Sequence, residues 1–237
     1  MSARQDLPGT PKRSPRKAKD THAEAHDERH TVEALLEQQG RTYAEEAGIR
    51  LTDKPGPLYQ LLVLATLLSA RISAGAGVAA AKELFAAGYR SPRAMGEASW
   101  QDRVDALDRG QYRRYDESAA TALGDAAERC RQRWGGDLRR LHREAGGDPA
   151  TARRLLTEFP GVGPTGADIF LREAQAVWSD IAPYADRKVT DGAERLNLPA
   201  APDDLAALVP AEELPRLSAA LVRVGRDRKA ADAVLAA

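Results

Sequence analysis

The chain is 237 residues long, enough for one large domain or two small ones with a proper core. Its 35 basic and 35 acidic side chains balance to zero, so recognition of a partner by overall charge is excluded and any such case rests on local clusters. Aromatics are only 5% of the chain, and alternating runs of Val, Ile, Thr and Tyr are nearly absent, which argues against a β-fold and for an all-α one. A single cysteine, Cys130, allows no intramolecular disulfide and fits a reducing compartment, as a small apolar residue on a helix. No apolar run approaches a membrane span and no signal-peptide pattern opens the chain, so a soluble, cytoplasmic protein is expected.

Residues 1 to about 28, rich in Pro, Ser, Lys and other polar residues, read as a disordered tail. Lys12, Arg13, Arg16, Lys17 and Lys19 form a basic cluster there, either a solvated tail or a non-specific DNA tether. His22, His26 and His30 recur every four residues, a spacing too weak by itself to nominate a metal site. A first helix is expected from about Thr31 to Ala47. After Pro55-Gly56-Pro57, a helix from Leu58 to about Ile72 is apolar on most faces and belongs at the centre of a domain. Helices follow at about 76–87, from Ser91 with Pro92 in its first turn, and from Ser99 with Trp100, Val104 and Leu107 inward. A long helix covers about 116–134 and stops at Gly135-Gly136. Arginines on both sides of that glycine pair are interspersed with Glu128, Asp137 and Glu144, and read as a solvated surface. Two shorter helices come next, and after Asp186 further ones near 187–196, 202–208 and 211–236.

The stretch from Leu155 to Asp186 carries the chemistry. Leu155, Leu156 and Phe159 before Pro160, and Ala167, Phe170 and Leu171 after Gly163, keep helical spacing around the turn Pro160-Gly161-Val162-Gly163. Two glycines let the backbone take positive φ and approach another molecule closely. A helix beginning at Pro164 aims its unbonded N–H groups outward from that turn, an arrangement suited to a phosphate oxygen. An ordinary helix connection, with glycines only relieving strain, is the plainer alternative.

The turn and its flanks resemble a helix-hairpin-helix, a sequence-independent clamp for the DNA backbone. Three segments in order extend the likeness: Leu67-Leu68-Ser69-Ala70-Arg71, the hairpin, and Ala185-Asp186-Arg187-Lys188-Val189 followed by Arg195-Leu196-Asn197-Leu198. From about Leu51 to Arg228 the chain resembles the endonuclease III branch of the helix-hairpin-helix DNA glycosylase superfamily. The resemblance implies two helical domains flanking a DNA-binding cleft: a six-helix domain over 53–180 with the hairpin, and a terminal-helix domain from 29–52 plus 181–237. It implies double-stranded DNA as partner, a monomer, and cleavage of the N-glycosidic bond of a damaged or mispaired base flipped into the cleft.

By the same resemblance, Asp186 is the catalytic aspartate. A buried carboxylate can stabilise the oxocarbenium character that develops on the sugar, or take a proton from attacking water. Asp186 also precedes a helical segment and can be its N-cap. Pro160, Gly161, Val162 and Gly163 fall on the phosphate clamp, with a monovalent cation allowed at the turn. Arg71 falls where relatives often carry a glutamine that fills the gap left by the flipped base; an exposed arginine at a helix end is the alternative. Trp178 and Tyr184 flank the loop before Asp186 and could stack on a base or pack in the core.

Two departures shape the expected activity. Bifunctional members carry a nucleophilic lysine where this chain has Thr165, which cannot form a Schiff base and would shape or hydrate the pocket instead. Lys188 alone among the lysines beyond the tail lies near the proposed site. Many relatives also hold an iron–sulfur cluster, which takes about four thiolates, whereas this chain has Cys130 alone, so no cofactor is expected. The expectation is a monofunctional DNA glycosylase. The alternatives are a non-catalytic binder of damaged or distorted duplex, and a bifunctional glycosylase/AP lyase acting through Lys188.

Overall fold

A computed structural model describes residues 16–237, with side chains from residue 27 onward. The basic cluster of the tail, and His22 and His26, fall outside the described residues or side chains. The described residues are helical without a strand. In chain order the helices are α1 (Arg16–Gln39), α2 (Tyr43–Glu46), α3 (Pro55–Leu68), α4 (Ala74–Ala86), α5 (Pro92–Glu97), α6 (Trp100–Arg109) and α7 (Asp116–Trp134). Then come α8 (Arg139–Ala145), α9 (Pro149–Leu156), α10 (Pro164–Ala174), α11 (Arg187–Arg195), α12 (Pro202–Ala206), α13 (Leu214–Arg226) and α14 (Arg228–Leu235). No described helix is long and apolar enough to cross a membrane.

Apolar side chains gather into two cores. The larger is centred on α3, whose residues from Leu58 to Leu67 are almost all buried, and is wrapped by α4 to α10. Its all-round apolar character leaves α3 no solvent face, which forces a central place. The Tyr112 hydroxyl closes the far end of α3 by donating to the Leu67 carbonyl at 2.8 Å. Arg103, itself buried, donates to the carbonyls of Met95, Ala98 and Ala120 and so ties α5, α6 and α7 together. The smaller core joins Val32 and Leu35 of α1 to α11, α13 and α14.

Several expectations from the sequence are corrected here. The helix expected at about 31–47 is broken at Gly40, where a Cβ would lie 2.3 Å from the Leu36 carbonyl oxygen, and α2 restarts behind a Thr42–Glu45 capping box. The first half extends back to Arg16, into the segment read as disordered. Ala44, Ala47 and Ile49 pack in the larger core rather than with the terminal helices. The reason is Glu173 of α10, whose carboxylate accepts from the N–H groups of Tyr43 (2.7 Å) and Ala44 (3.1 Å) and fastens α2 to that core. The last helix is likewise split, because Asp227 caps α14 by accepting from Lys229 and Ala230. Trp100 points outward, 41% exposed, with its indole N–H on the Thr121 hydroxyl. Cys130 is buried in α7, and burial pushes its thiol up to about 12.

Candidate functional site

The turn between α9 and α10 is built from residues that cannot be exchanged freely. Gly161 has φ +78°, and a Cβ there would meet Ala122 of α7 at 2.7 Å. Val162 turns its side chain inward and is buried, pinning the turn to the larger core. Gly163 is the N-cap of α10, with no side chain to satisfy the helix end and open space around it. The N–H groups of Gly161, Gly163, Thr165 and Gly166 have no partner among the described residues, whereas that of Val162 donates to the Phe159 carbonyl at 3.0 Å. Val162 therefore anchors the turn, and the N–H donors facing outward come from its neighbours, a correction to the expected donor set. Pro160 is half-buried at the entry to the turn.

Helix α10 connects this turn to Asp186. Gly166 lets α10 lie against the end of α3, where a Cβ would come within 3.5 Å of the Ser69 Cβ. Asp168 and Arg172 follow one turn apart on the same face of the helix. Asp168 accepts from Arg153 Nε (2.6 Å) and from the Tyr184 hydroxyl (2.7 Å), so Tyr184 spends its polar end on α10. Burial first, and the Asp168 carboxylate second, push the Tyr184 phenol above its ordinary range. Buried Gln175 accepts from the Tyr184 N–H (3.0 Å) and donates toward the Arg172 carbonyl and the Ser218 hydroxyl of α13. The loop leading to Asp186 is thus laced to α10 at several points.

Asp186 is the N-cap of α11, its Oδ1 accepting from Val189 N at 3.3 Å. The same oxygen stands 3.9 Å from Arg172 Nε, with the two side chains 10% and 7% exposed. Its Oδ2 holds no hydrogen bond among the described residues, so a nearly buried carboxylate keeps one oxygen uncommitted. The seat of α11 is set by two glycines: a Cβ on Gly192 would lie 2.1 Å from the Leu221 carbonyl oxygen, and one on Gly225 would lie 3.4 Å from Gly192. Backbone-to-backbone contact of α11 and α13 fixes where Asp186 and Lys188 sit.

A narrow cleft of about 20 Å³ runs between the two cores, with Leu68, Ile72, Ile169, Arg172, Lys188 and Arg226 on its walls; Asp186 is not on them and adjoins the cleft through Arg172. Lys188 is half-buried; burial first, and the charge of Arg172 second, lower its pKa. Arg71, exposed, lies on the loop between α3 and α4. That loop separates the cleft, which touches Leu68 and Ile72, from a second groove of about 280 Å³ that touches Ser69, Ala70 and Gly161. Tyr112, Tyr115 and Ser118 line the second groove, and Arg114 stacks over Tyr115 at 5.3 Å. Thr165 is half-buried in the first turn of α10, about 10 Å up the helix axis from Arg172.

Trp178 is apart from both openings. It is 1% exposed, stacks on His142 at 4.3 Å, and donates its indole N–H to Asp53 at 3.1 Å. Its place is the larger core. The sequence reading passed over Arg172, Gln175 and the Arg113-Arg114-Tyr115 segment. For Arg172 the sequence carries a signal: it stands four residues after Asp168 on α10, opposite charges on one face of the helix. Among the described residues no group of three or more His, Cys, Asp or Glu side chains is placed to hold a metal ion.

The arrangement defines an all-α protein with a glycine hairpin that offers backbone N–H donors, and a nearly buried carboxylate at the start of α11 that stands 3.9 Å from Arg172 of the hairpin's second helix. No family model and no curated protein matches the chain. Among solved structures it is similar to an endonuclease III–DNA covalent intermediate described as an estranged-adenine complex, at 17% identity over 84% of this chain and 86% of that one, TM-score 0.47. It is also similar to a non-covalent endonuclease III–DNA complex, at 18% identity over 78% and 83% of the two chains, TM-score 0.48.

Proposed function

We propose that this protein binds double-stranded DNA through the hairpin and hydrolyses the N-glycosidic bond of a damaged or mispaired base, with Asp186 as the catalytic carboxylate. The observation that carries the reading is the continuity of α10. Its first turn presents unbonded N–H groups around Gly161, Gly163 and Thr165, and Arg172 further along it stands 3.9 Å from Asp186 at the cap of α11, so one rigid element runs from a phosphate grip to the neighbourhood of a carboxylate. In the reaction, the uncommitted Oδ2 would face the developing positive charge on the sugar or accept a proton from water, while the Val189 N–H keeps the group oriented. Thr165, in the first turn of α10, would support the clamp through its own unbonded N–H and shape or hydrate the pocket with its hydroxyl. Arg71, exposed on the loop between cleft and groove, would enter a duplex held at the hairpin.

One observation favours a second reading, a protein that binds distorted duplex without cutting it. The cleft of about 20 Å³ has room for little more than a water molecule, and a base enters only if the two cores move apart. Duplexes carrying a panel of lesions, incubated with the protein and then treated with alkali, separate the two. Strand breaks that require Asp186 support excision, and retention of duplex with no base release supports binding alone.

A further inference from the structure

Three cations line the cleft, and the one carboxylate beside them with an uncommitted oxygen, Asp186, reaches Arg172 Nε only to 3.9 Å. Arg172 is almost fully buried, yet its Nε donates only to the Asp168 carbonyl of its own helix (3.2 Å), and its terminal nitrogens hold no hydrogen bond among the described residues. The other carboxylates around it are committed elsewhere. Asp168 is taken by Arg153 and Tyr184, Glu173 by the N–H groups of Tyr43 and Ala44, and Asp186 approaches Arg172 only to 3.9 Å while capping α11. Lys188 and Arg226 line the same cleft, and neither has a carboxylate within 4.0 Å among the described residues. Buried charges are normally paired, because an unpaired one forfeits its hydration for nothing. A guanidinium 7% exposed, whose terminal nitrogens bond to no described residue and which is flanked by two further cations, has donors to offer an anion that reaches the cleft.

We propose that the cleft between the two cores is a phosphate site, in which Arg172, Lys188 and Arg226 together hold one phosphate group carried by a nucleotide. Arg172 supplies planar paired donors at the floor, and Lys188 and Arg226 supply mobile charge at the mouth. In this packing the narrow floor admits a phosphate oxygen, with the rest of the group at the mouth, but not a base. The site is separate from the hairpin, whose donors are backbone N–H groups at the other end of α10. Its link to DNA rests on the function proposed above; the anion chemistry does not.

Nitrogen-15 NMR of the full chain tests this, following the Arg172 Nε–H signal during titration in chloride buffer with inorganic phosphate, thymidine 5′-monophosphate and the dinucleotide TpT. The expected result is a saturable shift of that signal with at least one probe, weakened roughly tenfold or more in Lys188→Ala and in Arg226→Ala. Both substitutions are at the cleft mouth, and unchanged amide spectra elsewhere establish that the variants fold. Tighter TpT binding assigns the phosphate to a DNA backbone, and tighter monophosphate binding to a free nucleotide or strand end. No shift with any probe, or equal affinity in the two variants, overturns the proposal. Failure of base release with phosphate binding intact would instead count against the glycosylase reading alone.

Discussion

The carboxylate of Asp186 and the guanidinium of Arg172 stand 3.9 Å apart, both nearly buried, with the carboxylate also capping α11. The cap and the charge can be separated by substitution. Asp186→Asn keeps an acceptor for the Val189 N–H, whereas Asp186→Ala removes it and should cost about 1 kcal/mol more in unfolding free energy. Both remove the carboxylate, so both should abolish base release. Chemical denaturation and the excision assay on the same samples check the pair; an Asn variant that retains excision would remove Asp186 from the chemistry.

The turn allows an internally controlled comparison. Gly161→Ala forces a side chain onto φ +78° and into Ala122, and should destabilise the fold by about 1–3 kcal/mol while weakening duplex binding. Gly163→Ala adds a methyl at φ −83° in open space and should change stability by no more than about 1 kcal/mol. Melting temperatures of the two variants measure the contrast. Equal losses would show that the turn is not held by Gly161.

Buried Glu173 gives stability a pH dependence of unusual sign for an acid. Burial raises its pKa from 4.5 to about 6, against the lowering effect of its bonds to Ala44 and Tyr43. Between those values the folded state holds more protons than the unfolded one, so this group's contribution to stability falls as pH rises through the window. The loss amounts to about 2 kcal/mol. The stabilisation is complete below pH 4.5 and gone above 6. Glu173→Gln should flatten this part of the profile, measurable by urea denaturation across pH 4 to 7 at constant ionic strength. A wild-type profile rising through that window at this residue's expense would contradict it.

The hairpin is legible because proline and glycine punctuate its turn: Pro160, Gly161, Gly163 and Pro164 lie between the helices, and the apolar spacing on each side matches the observed α9 and α10. The all-apolar run of α3 was legible as a central helix for the same local reason. Long-range bonds leave no such trace. Nothing near Tyr43 in the chain signals that Glu173 will cap it, so the place of α2 in the larger core was missed. The sequence leaves Trp178 open between a pocket wall and the core; stacking on His142 and a bond to Asp53 draw it inside. Arg172 escaped notice because a charge in an amphipathic helix is ordinarily a surface residue, and only the packing of α11 and α13 over it makes it buried.

Lys188 has lowered basicity and lines the cleft, which raises the question of imine chemistry at an abasic sugar. With Lys188 engaged as a cation toward phosphate, borohydride treatment of the protein with abasic duplex should trap no covalent adduct. An adduct that disappears in Lys188→Ala would make the protein a glycosylase with lyase activity.

The central claim is that the carboxylate at the start of α11, beside Arg172 of α10, acts on a nucleoside whose strand the hairpin grips. Its most direct measurement is alkali-revealed base release from a lesion panel by wild type and by Asp186→Asn under single-turnover conditions. The account predicts release from at least one lesion by wild type and a loss of roughly a hundredfold or more in the variant, with duplex binding retained. Release from no lesion, or equal release by the two proteins, would contradict it.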